Sequence, residues 1–207
     1  MISALYVIKD GPYFNIENVD PWDADRNAKI FKGPGPVIAH PPCQRWGRYW
    51  GGGPMLHGTE KQKLLGDDEQ CFAHALWAVR SFGGVLEHPE ASIAWKFFGL
   101  PKPDRSGGWT GPDAFGGYAC CVSQGHYGHR AQKLTWLYAV RTERPDLIWG
   151  KCPGKDLMDE GFHSKEERAR KIKTGICQRI SKRQREGTPS EFKELLISIA
   201  ETVHEHV

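Results

Sequence analysis

Short apolar runs separated by turn-forming residues dominate the first two thirds of the chain. Residues 5–8, 36–39 and 85–86 have the composition of buried strands, and each run is followed closely by a turn signal built from glycine or proline. Residues 118–123 and 134–140 predict two further strands, joined by a glycine-containing turn. A helical stretch lies between the second and third runs, and this strand–helix–strand order predicts parallel strands in an α/β fold.

Three helices are predicted from apolar periodicity and capping signals. Residues 72–82 carry apolar side chains at helical spacing, with Asp67 or Asp68 as the expected cap and a pair of glycines at the end. Residues 20–31 predict a short helix that begins with an aspartate and a proline. Residues 188–191, Thr-Pro-Ser-Glu, form a capping box ahead of an apolar stripe, which predicts a C-terminal helix.

These elements predict an α/β fold with a Rossmann-like, doubly wound, mostly parallel sheet. We expect residues 1–150 to form this catalytic-type domain, truncated at its N-terminal unit, because the start of the chain contains little helical pattern. We expect residues 151–207 to form a basic, helical C-terminal appendage that packs on the same domain.

Composition and charge narrow the class of protein. The chain has 207 residues, of which 39% are hydrophobic and 26% charged, so a disordered polyampholyte is not expected. No apolar run approaches the roughly 20 residues that span a bilayer, and the start lacks a signal-peptide pattern. We therefore expect a cytoplasmic protein with no membrane partner. The formal net charge of +3 neither requires nor excludes nucleic acid.

The six cysteines do not indicate a disulfide framework or a zinc site. They include no Cys-x-x-Cys pair, and the chain is long enough to build a core without cross-links, so we expect reduced thiols. A metal site using His126, His129 and Asp67 or Asp68 is an alternative, but no tight ligand motif supports it. The sequence therefore predicts no metal.

Two reactive residues follow neighbouring predicted strands. Cys43 comes after the run at 36–39, and Glu87 comes at the end of the run at 85–86. Ligands of open α/β sheets bind beyond the carboxyl ends of strands, so the thiol and the carboxyl could face one bound ring. That arrangement would suit covalent catalysis. The other interpretation is a buried structural thiol and a glutamate that caps a turn.

Three segments resemble motifs of the cytosine-C5 DNA methyltransferases, in the family's order. Residues 39–44, Ala-His-Pro-Pro-Cys-Gln, resemble the loop of the nucleophilic cysteine. Residues 86–89, Leu-Glu-His-Pro, resemble the motif whose glutamate binds the cytosine N3 and amino group, with histidine where the family has asparagine. Residues 127–138 resemble a later segment with a Tyr-Gly turn, spaced arginines and an apolar strand. The resemblance covers residues 18–140.

This resemblance implies a pyrimidine-modifying transferase that acts on cytosine in DNA. It implies that Cys43 attacks C6 of the base and that Glu87, kept protonated near neutral pH by burial, acts at N3. Arg130 or Lys133 would supply the cation near O2. The neighbours of the two reactive residues would contact the base or its surroundings: Pro42, Gln44, Trp46 and His88. Trp46 could also pack in the core.

The resemblance is weaker for the residues that would bind the cofactor than for those that would bind the base. It implies S-adenosylmethionine as methyl donor, with Asp20 and Trp22 near the cofactor ribose and adenine, yet the family's Phe-x-Gly-x-Gly turn after the first strand is missing. Three functions stay open: methylation with a remodelled pocket, another reaction through the same C6 adduct or on a free nucleotide, and a non-catalytic DNA-binding relative. The small size and the missing motif are compatible with a phage or prophage accessory protein.

A basic segment near the C-terminus predicts contact with nucleic acid. Between residues 165 and 185 there are nine Lys or Arg and two Glu, which can neutralise phosphates or simply form a solvated face. Arg179, Lys182 and Arg183 are the candidate phosphate-binding residues. The aromatic and arginine-rich loop after Cys43 could stack on bases, so we expect DNA as the partner.

Overall fold

The computed structural model describes most of the chain. It covers residues 1–47, 49–52, 56–152, 154–156, 166, 169, 180 and 182–204, with the backbone only at Lys182 and Arg183.

Six strands form one mixed sheet, in which the first four are parallel. The strands are β1 Ile2–Leu5, β2 Val19–Trp22, β3 Val37–Ala39, β4 Gly84–Pro89, β5 Gly117–Ser123 and β6 Leu134–Val140. Their order across the sheet is β2-β1-β3-β4-β6-β5. The pairs β1–β2, β1–β3 and β3–β4 are parallel, whereas β6 runs antiparallel to both β4 and β5. The predicted α/β, mostly parallel sheet is confirmed.

Helices cover both faces of this sheet, so the doubly wound architecture is also confirmed. The helices with bounds inside the described residues are α1 Cys71–Phe82, α2 Ile93–Phe97, α3 Lys182–Glu186 and α4 Ser190–Glu201. Helix α1 packs on β3, β4 and β6, whereas α4 packs on β1, β3 and β4. The predicted C-terminal helix therefore packs on one face of the sheet and contributes to one of the two hydrophobic clusters. The boundary at residue 150 stays a prediction.

Two hydrophobic clusters follow from the alternation of side chains along the strands. In β3, Val37 and Ala39 join the cluster around Phe72 of α1, whereas Ile38 between them joins the cluster around Leu196 of α4. This is the two-residue period that a strand buried on both faces requires. The same alternation decides below which side chains reach the functional site.

The N-terminal unit is shorter than in the common doubly wound order, as predicted. Residues 6–18, between β1 and β2, form turns without a helix, and no strand lies outside β2 in the described residues. The chain leaves β1 toward β2 and then returns to place β3 on the other side of β1. That reversal of direction is the topological switch point where ligands of such sheets bind.

The predicted helix over residues 20–31 is wrong. Residues Val19–Trp22 form the edge strand β2, in register with β1, and the only helical turn that follows there is a short 3-10 helix at Ala28–Ile30. Pairing with β1 overrides the local capping signal. Pro21 is tolerated because an edge strand has one side on which no backbone donor is needed.

The other predicted elements agree with the structure except at their ends. Strand β1 spans Ile2–Leu5 instead of residues 5–8, because Tyr6 adopts a left-handed backbone with φ of 60°. Strand β4 begins at Gly84, where an added Cβ would collide with the backbone of Val37. The carboxylate of Asp68 accepts a hydrogen bond of 2.9 Å from the Phe72 backbone N–H, so one of the two expected caps holds the start of α1.

No helix in the described ranges combines the length and apolar character that crossing a bilayer requires.

Candidate active site

A cavity of about 760 Å³ opens at the carboxyl edge of the parallel strands. Its volume lies within the range of small-molecule sites, roughly 300–1,000 Å³. The segments that follow β1 and β3, the end of β4 and the residues before β6 all contribute to its wall. Six of the lining residues matter most here: Tyr6, Tyr13, His40, Cys43, Glu87 and Lys133. The cavity therefore lies at the switch point of the sheet.

Cys43 reaches this cavity from the turn that follows β3. Two prolines stop the strand, and the Cys43 carbonyl then accepts hydrogen bonds from the backbone of Trp46 and Gly47, at 3.0 and 3.1 Å. Burial, and secondly the negative charge of Glu87, raise the pKa of the Cys43 thiol, against a smaller lowering by Lys133. The resting thiol is therefore protonated at neutral pH.

Glu87 enters the same cavity from β4 and is held at both oxygens. Its Oε2 lies 3.1 Å from His40 Nδ1, and its Oε1 accepts a hydrogen bond of 3.2 Å from Gln124 Nε2. Its side chain is 12% exposed. Burial raises its pKa, but the hydrogen bond from His40 and the charge of Lys133 outweigh burial and bring the pKa to about 2. The expectation of a carboxyl kept protonated by burial is therefore wrong in the resting site.

His40 links Glu87 to a buried tyrosine. Its second ring nitrogen, Nε2, lies 2.8 Å from the Tyr13 hydroxyl, and the two rings pack with centroids 5.3 Å apart. Burial, followed by the charge of Glu87, raises the pKa of Tyr13 well above its ordinary value. Tyr13, His40 and Glu87 thus form one continuous hydrogen-bonded chain along the cavity wall.

The two candidates for the cation differ in position. Lys133 lines the cavity, and its Nζ donates to the Gly187 carbonyl at 3.3 Å. Arg130 lies outside the cavity, 57% exposed, and pairs with Asp156 at 2.7 Å. The structure therefore brings Lys133, and not Arg130, to Cys43 and Glu87.

Pro42 and Gln44 line the cavity, but Trp46 does not. The Trp46 ring is buried among Phe72, Phe97 and Phe98, and its Nε1 donates to Asp68 at 2.7 Å. The expectation that Trp46 contacts the substrate is wrong. The turn after Cys43 directs this large apolar ring under α1, where it is almost completely buried.

His88 also turns away from the cavity, contrary to the expectation of substrate contact. Strand β4 continues to Pro89, so Glu87 and His88 point to opposite faces of the sheet. The His88 ring lies 5.1 Å from Phe72 and 6.4 Å from Trp95, and neither ring nitrogen has a hydrogen-bond partner within the described residues. Burial lowers its pKa to about 4, so the ring is neutral.

Asp20 and Trp22, the expected cofactor contacts, lie outside the cavity lining. Asp20 accepts a hydrogen bond of 2.9 Å from the Trp22 indole and forms an ion pair with Arg26, whose guanidinium stacks on the Trp22 ring. Both residues are thus engaged with each other on the edge strand β2. This local cluster explains their polar and aromatic character without a cofactor.

The structure describes only part of the basic segment at residues 165–185. Arg179 lies outside the described residues, as do the side chains of Lys182 and Arg183. Arg185 of α3 is described and lines the cavity. The expected phosphate contacts of the first three residues therefore stay predictions.

The alternative metal site is not assembled in the described part of the chain. No group of three His, Cys, Asp or Glu side chains is close enough there to hold a metal ion. Asp68 binds Trp46 and the start of α1, whereas the His129 ring bonds to the Ala131 backbone and to the Gln184 carbonyl.

Three residues of the site are not predicted from the sequence. Tyr13, which lines the cavity, lies in a turn before β2, and Gln124, which bonds to Glu87, lies in a 3-10 turn after β5, so neither follows a recognisable motif. Gln132 lines the cavity, and its side-chain nitrogen is buried without a hydrogen-bond partner among the described atoms. That amide is a donor available to a ligand. The described cysteines, Cys43, Cys71, Cys120, Cys121 and Cys152, form no disulfide.

No protein-family model, curated protein or solved structure matches this chain.

Proposed function

We propose that this protein modifies C5 of a pyrimidine, cytosine in DNA, through a covalent adduct between Cys43 and C6 of the base. One observation carries the proposal: Cys43 and Glu87, from neighbouring parallel strands, line one cavity together with Lys133. A thiol, a carboxylate and a cation around one ring-sized space are the groups that such an adduct requires. The resemblance to cytosine-C5 DNA methyltransferases supports the same chemistry.

The reaction can be written with this chain's own groups and water. Cys43 loses its thiol proton to water, and the sulfur then forms a bond to C6 of the base. The electron pair of the C5–C6 double bond moves into the ring and is stabilised when N3 gains a proton. C5 takes a proton from water and loses its original hydrogen as a proton. As the sulfur departs, the C5–C6 double bond returns, N3 releases the proton that it gained, and the thiolate regains a proton from water. The net result is exchange of the C5 hydrogen.

Glu87 orients the base in this scheme. Its carboxylate can only accept hydrogen bonds, so it binds the exocyclic amino group of cytosine and must itself gain a proton before it donates to N3. Lys133 places a positive charge where negative charge develops in the ring. Its charge also lowers the pKa of the Cys43 thiol, against the larger raising by burial.

The residues around the cavity do not fit S-adenosylmethionine in the way that the family resemblance implies. The segment after β1 brings the bulky side chains of Tyr6, Val7 and Ile8 into the cavity wall, where the family uses a glycine turn. Asp20 is paired with Arg26 instead of facing the cavity. Exchange at C5 with water protons is therefore the reaction that the described side chains support.

DNA is the proposed substrate because the cavity combines a ring-sized recess with cations. Arg105, Lys133, Lys151 and Arg185 line it, and Arg105 is paired with Glu90. Lys133 and Lys151 can bind phosphate groups, and a base in duplex DNA must leave the helix to reach Cys43.

Trapping of the adduct tests this proposal. Fluorine at C5 withdraws electrons and makes C6 more susceptible to addition, so with a 5-fluorocytosine oligonucleotide we expect a covalent protein–DNA species to accumulate, visible by intact mass spectrometry. Cys43→Ser should abolish it. Cys71→Ser, a half-buried thiol outside the cavity, is the matched control and should retain it.

A second readout follows release of the C5 hydrogen from labelled cytosine into water. Absence of both adduct and exchange with DNA, RNA and free nucleotides would show that the proposal is wrong. Salt-sensitive DNA binding without either signal would instead assign a binding-only function.

A further inference from the structure

We infer that His40 is a positioning residue of this site, which holds the Glu87 carboxylate and passes it the proton that the base requires, with Tyr13 as the outer member of the relay. The inference rests on the proposed function and assigns the source of the N3 proton. It starts from geometry: His40 joins Glu87 to the buried Tyr13 hydroxyl through a ring that can carry a proton, whereas the amide of Gln124, which joins Glu87 to the buried Thr135 hydroxyl, has no proton to transfer.

The position of His40 is fixed by the backbone. It directly follows β3, its backbone N–H donates to the Leu5 carbonyl of β1 at 3.1 Å, and two prolines come next. A residue before proline is confined to extended conformations, so the ring has little freedom to leave the cavity wall. The side chain is only 13% exposed.

The hydrogen on the inner ring nitrogen follows from its partner. A carboxylate can only accept, so Nδ1 of His40 carries a hydrogen that it donates to Glu87 Oε2. The outer nitrogen, Nε2, either accepts from the Tyr13 hydroxyl or, in the imidazolium, donates to the Tyr13 oxygen. Tyr13 can serve both states because a hydroxyl is a donor and an acceptor.

The proton transfers balance when His40 is charged. The imidazolium gives its Nδ1 proton to Glu87, and Glu87 passes a proton to N3 of the base as the sulfur–C6 bond forms. The neutral ring keeps its Nε2 hydrogen, which it donates to Tyr13. When the adduct breaks down, N3 returns its proton through Glu87 to His40, and the departing thiolate regains from water the proton that the Cys43 thiol had lost, so every group ends in its starting state.

This assignment predicts a pH profile with two limbs. Adduct formation needs a charged His40 and a Cys43 thiolate, so the rate should rise with pH as the thiol ionises and fall as His40 loses its proton. The titratable or charged side chains near this pair come from every surrounding segment: Tyr13, Cys43, Glu87, Lys133, Arg185 and Glu186.

The protein offers a matched control in its second tyrosine–histidine pair. The Tyr6 hydroxyl lies 3.2 Å from His74 Nδ1, but the other ring nitrogen of His74 faces the Phe31 carbonyl at 3.2 Å instead of a carboxylate. The first link of the relay is thus present in both pairs, whereas the carboxylate belongs to His40 alone.

Nuclear magnetic resonance of ¹⁵N-labelled histidine tests the relay without any substrate. In the wild type we expect a hydrogen on Nδ1 of His40 that is donated to Glu87. Glu87→Gln replaces the charged acceptor by a neutral one, so the Nδ1–H proton signal of His40 should move upfield, whereas the signals of His74 should not move. His40 signals that are equal in the wild type and in Glu87→Gln would overturn the relay, whether or not the protein forms an adduct.

Kinetics of adduct formation with the 5-fluorocytosine oligonucleotide test the role of the proton. His40→Asn keeps an N–H donor near Glu87 but cannot transfer a proton, so the rate should drop by at least about tenfold and the falling limb of the pH profile should vanish. His74→Asn should match the wild type.

The outcomes separate the two proposals. A wild type without adduct, but with an Nδ1–H signal of His40 that depends on Glu87, contradicts the proposed function and supports the relay. An adduct that forms equally fast in His40→Asn, with both limbs of the profile intact, supports the function and contradicts the relay.

Discussion

The segment after β3 and strand β4 each contribute one residue to the cavity and one residue to a buried region under α1. The two regions differ in whether their polar side chains have hydrogen-bond partners. The segment after β3 sends Cys43 into the cavity and Trp46 under α1, and strand β4 sends Glu87 into the cavity and His88 under α1. We call the second region the aromatic cluster. Its members are Trp46, Phe72, His88, Trp95 and Phe98.

The difference between Glu87 and His88 shows what burial does with and without partners. Glu87 has hydrogen-bond donors at both oxygens and stays ionised, whereas His88 has none among the described atoms and stays neutral. Both groups lie deep in the protein, so exposure does not separate them. Partners therefore decide which of two adjacent titratable residues keeps a charge for chemistry.

The largest expected effect tests whether the aromatic cluster stabilises the fold while the cavity carries the chemistry. Phe72→Ala removes the centre of the aromatic cluster and should lower the free energy of unfolding by about 3–5 kcal/mol, since Phe72 is fully buried. Cys43→Ala should change it by less than about 1 kcal/mol while abolishing the adduct. Urea denaturation followed by circular dichroism measures both. Equal destabilisation by the two substitutions would mean that Cys43 belongs to the core.

A second effect separates His88 from Glu87 by pH. The His88 pKa falls from an ordinary 6.5 to about 4, so its neutral ring contributes stability that is present above pH 6.5 and is lost as the pH falls toward 4. The Glu87 pKa falls from 4.5 to about 2, so its contribution is present above pH 4.5 and is lost below it. The two windows are therefore distinct.

His88→Leu should remove the first window. We expect the wild type to lose roughly 2 kcal/mol more than this variant between pH 7 and pH 5, because the variant has no ring to protonate. Urea denaturation at the two pH values measures the difference. Phe98→Leu is the control, because it changes the aromatic cluster without removing a titratable group and should leave the loss between pH 7 and pH 5 unchanged. A His88→Leu protein with the wild-type pH dependence would show that His88 is hydrogen-bonded or exposed.

The smallest effect concerns the thiol itself. Lys133→Met removes a charge that lowers the pKa of Cys43, so alkylation of Cys43 by iodoacetamide at pH 8 should slow by about two- to fivefold. Arg130→Met is the matched control, since Arg130 lies outside the cavity beside Asp156. Peptide mass spectrometry gives the rate at each cysteine. The reverse ranking of the two variants would assign the cation to Arg130.

Much of the fold could be predicted from the sequence, because its signals are local. The strand over Leu134–Val140 and the helix that ends at the glycine pair follow directly from apolar period and breakers. Residues 20–31 could not be assigned correctly, because the pairing of β2 with β1 depends on a neighbour outside any local window. A capping signal of about 1 kcal/mol cannot compete with a strand ladder.

Some features of the candidate site could likewise be predicted from the sequence, and others could not. The positions of Cys43 and Glu87 at two strand ends could be predicted, because parallel strands present their carboxyl ends at one edge. The orientation of His88 could not, because the apolar run at 85–86 does not show that strand β4 extends through His88 to Pro89 and so places Glu87 and His88 on opposite faces. Tyr13 could not be found either, since its contact with His40 joins two loops distant in sequence.

The sequence by itself determined which chemical groups are present, which faces of the strands and helices are apolar, and that the fold is α/β. Only the tertiary structure decided that Glu87 is an anion held by His40 and Gln124, and that Lys133 instead of Arg130 stands beside the thiol. The physical reason is that hydrogen bonding and Coulomb interactions act over a few ångströms in space, and folding alone sets those distances.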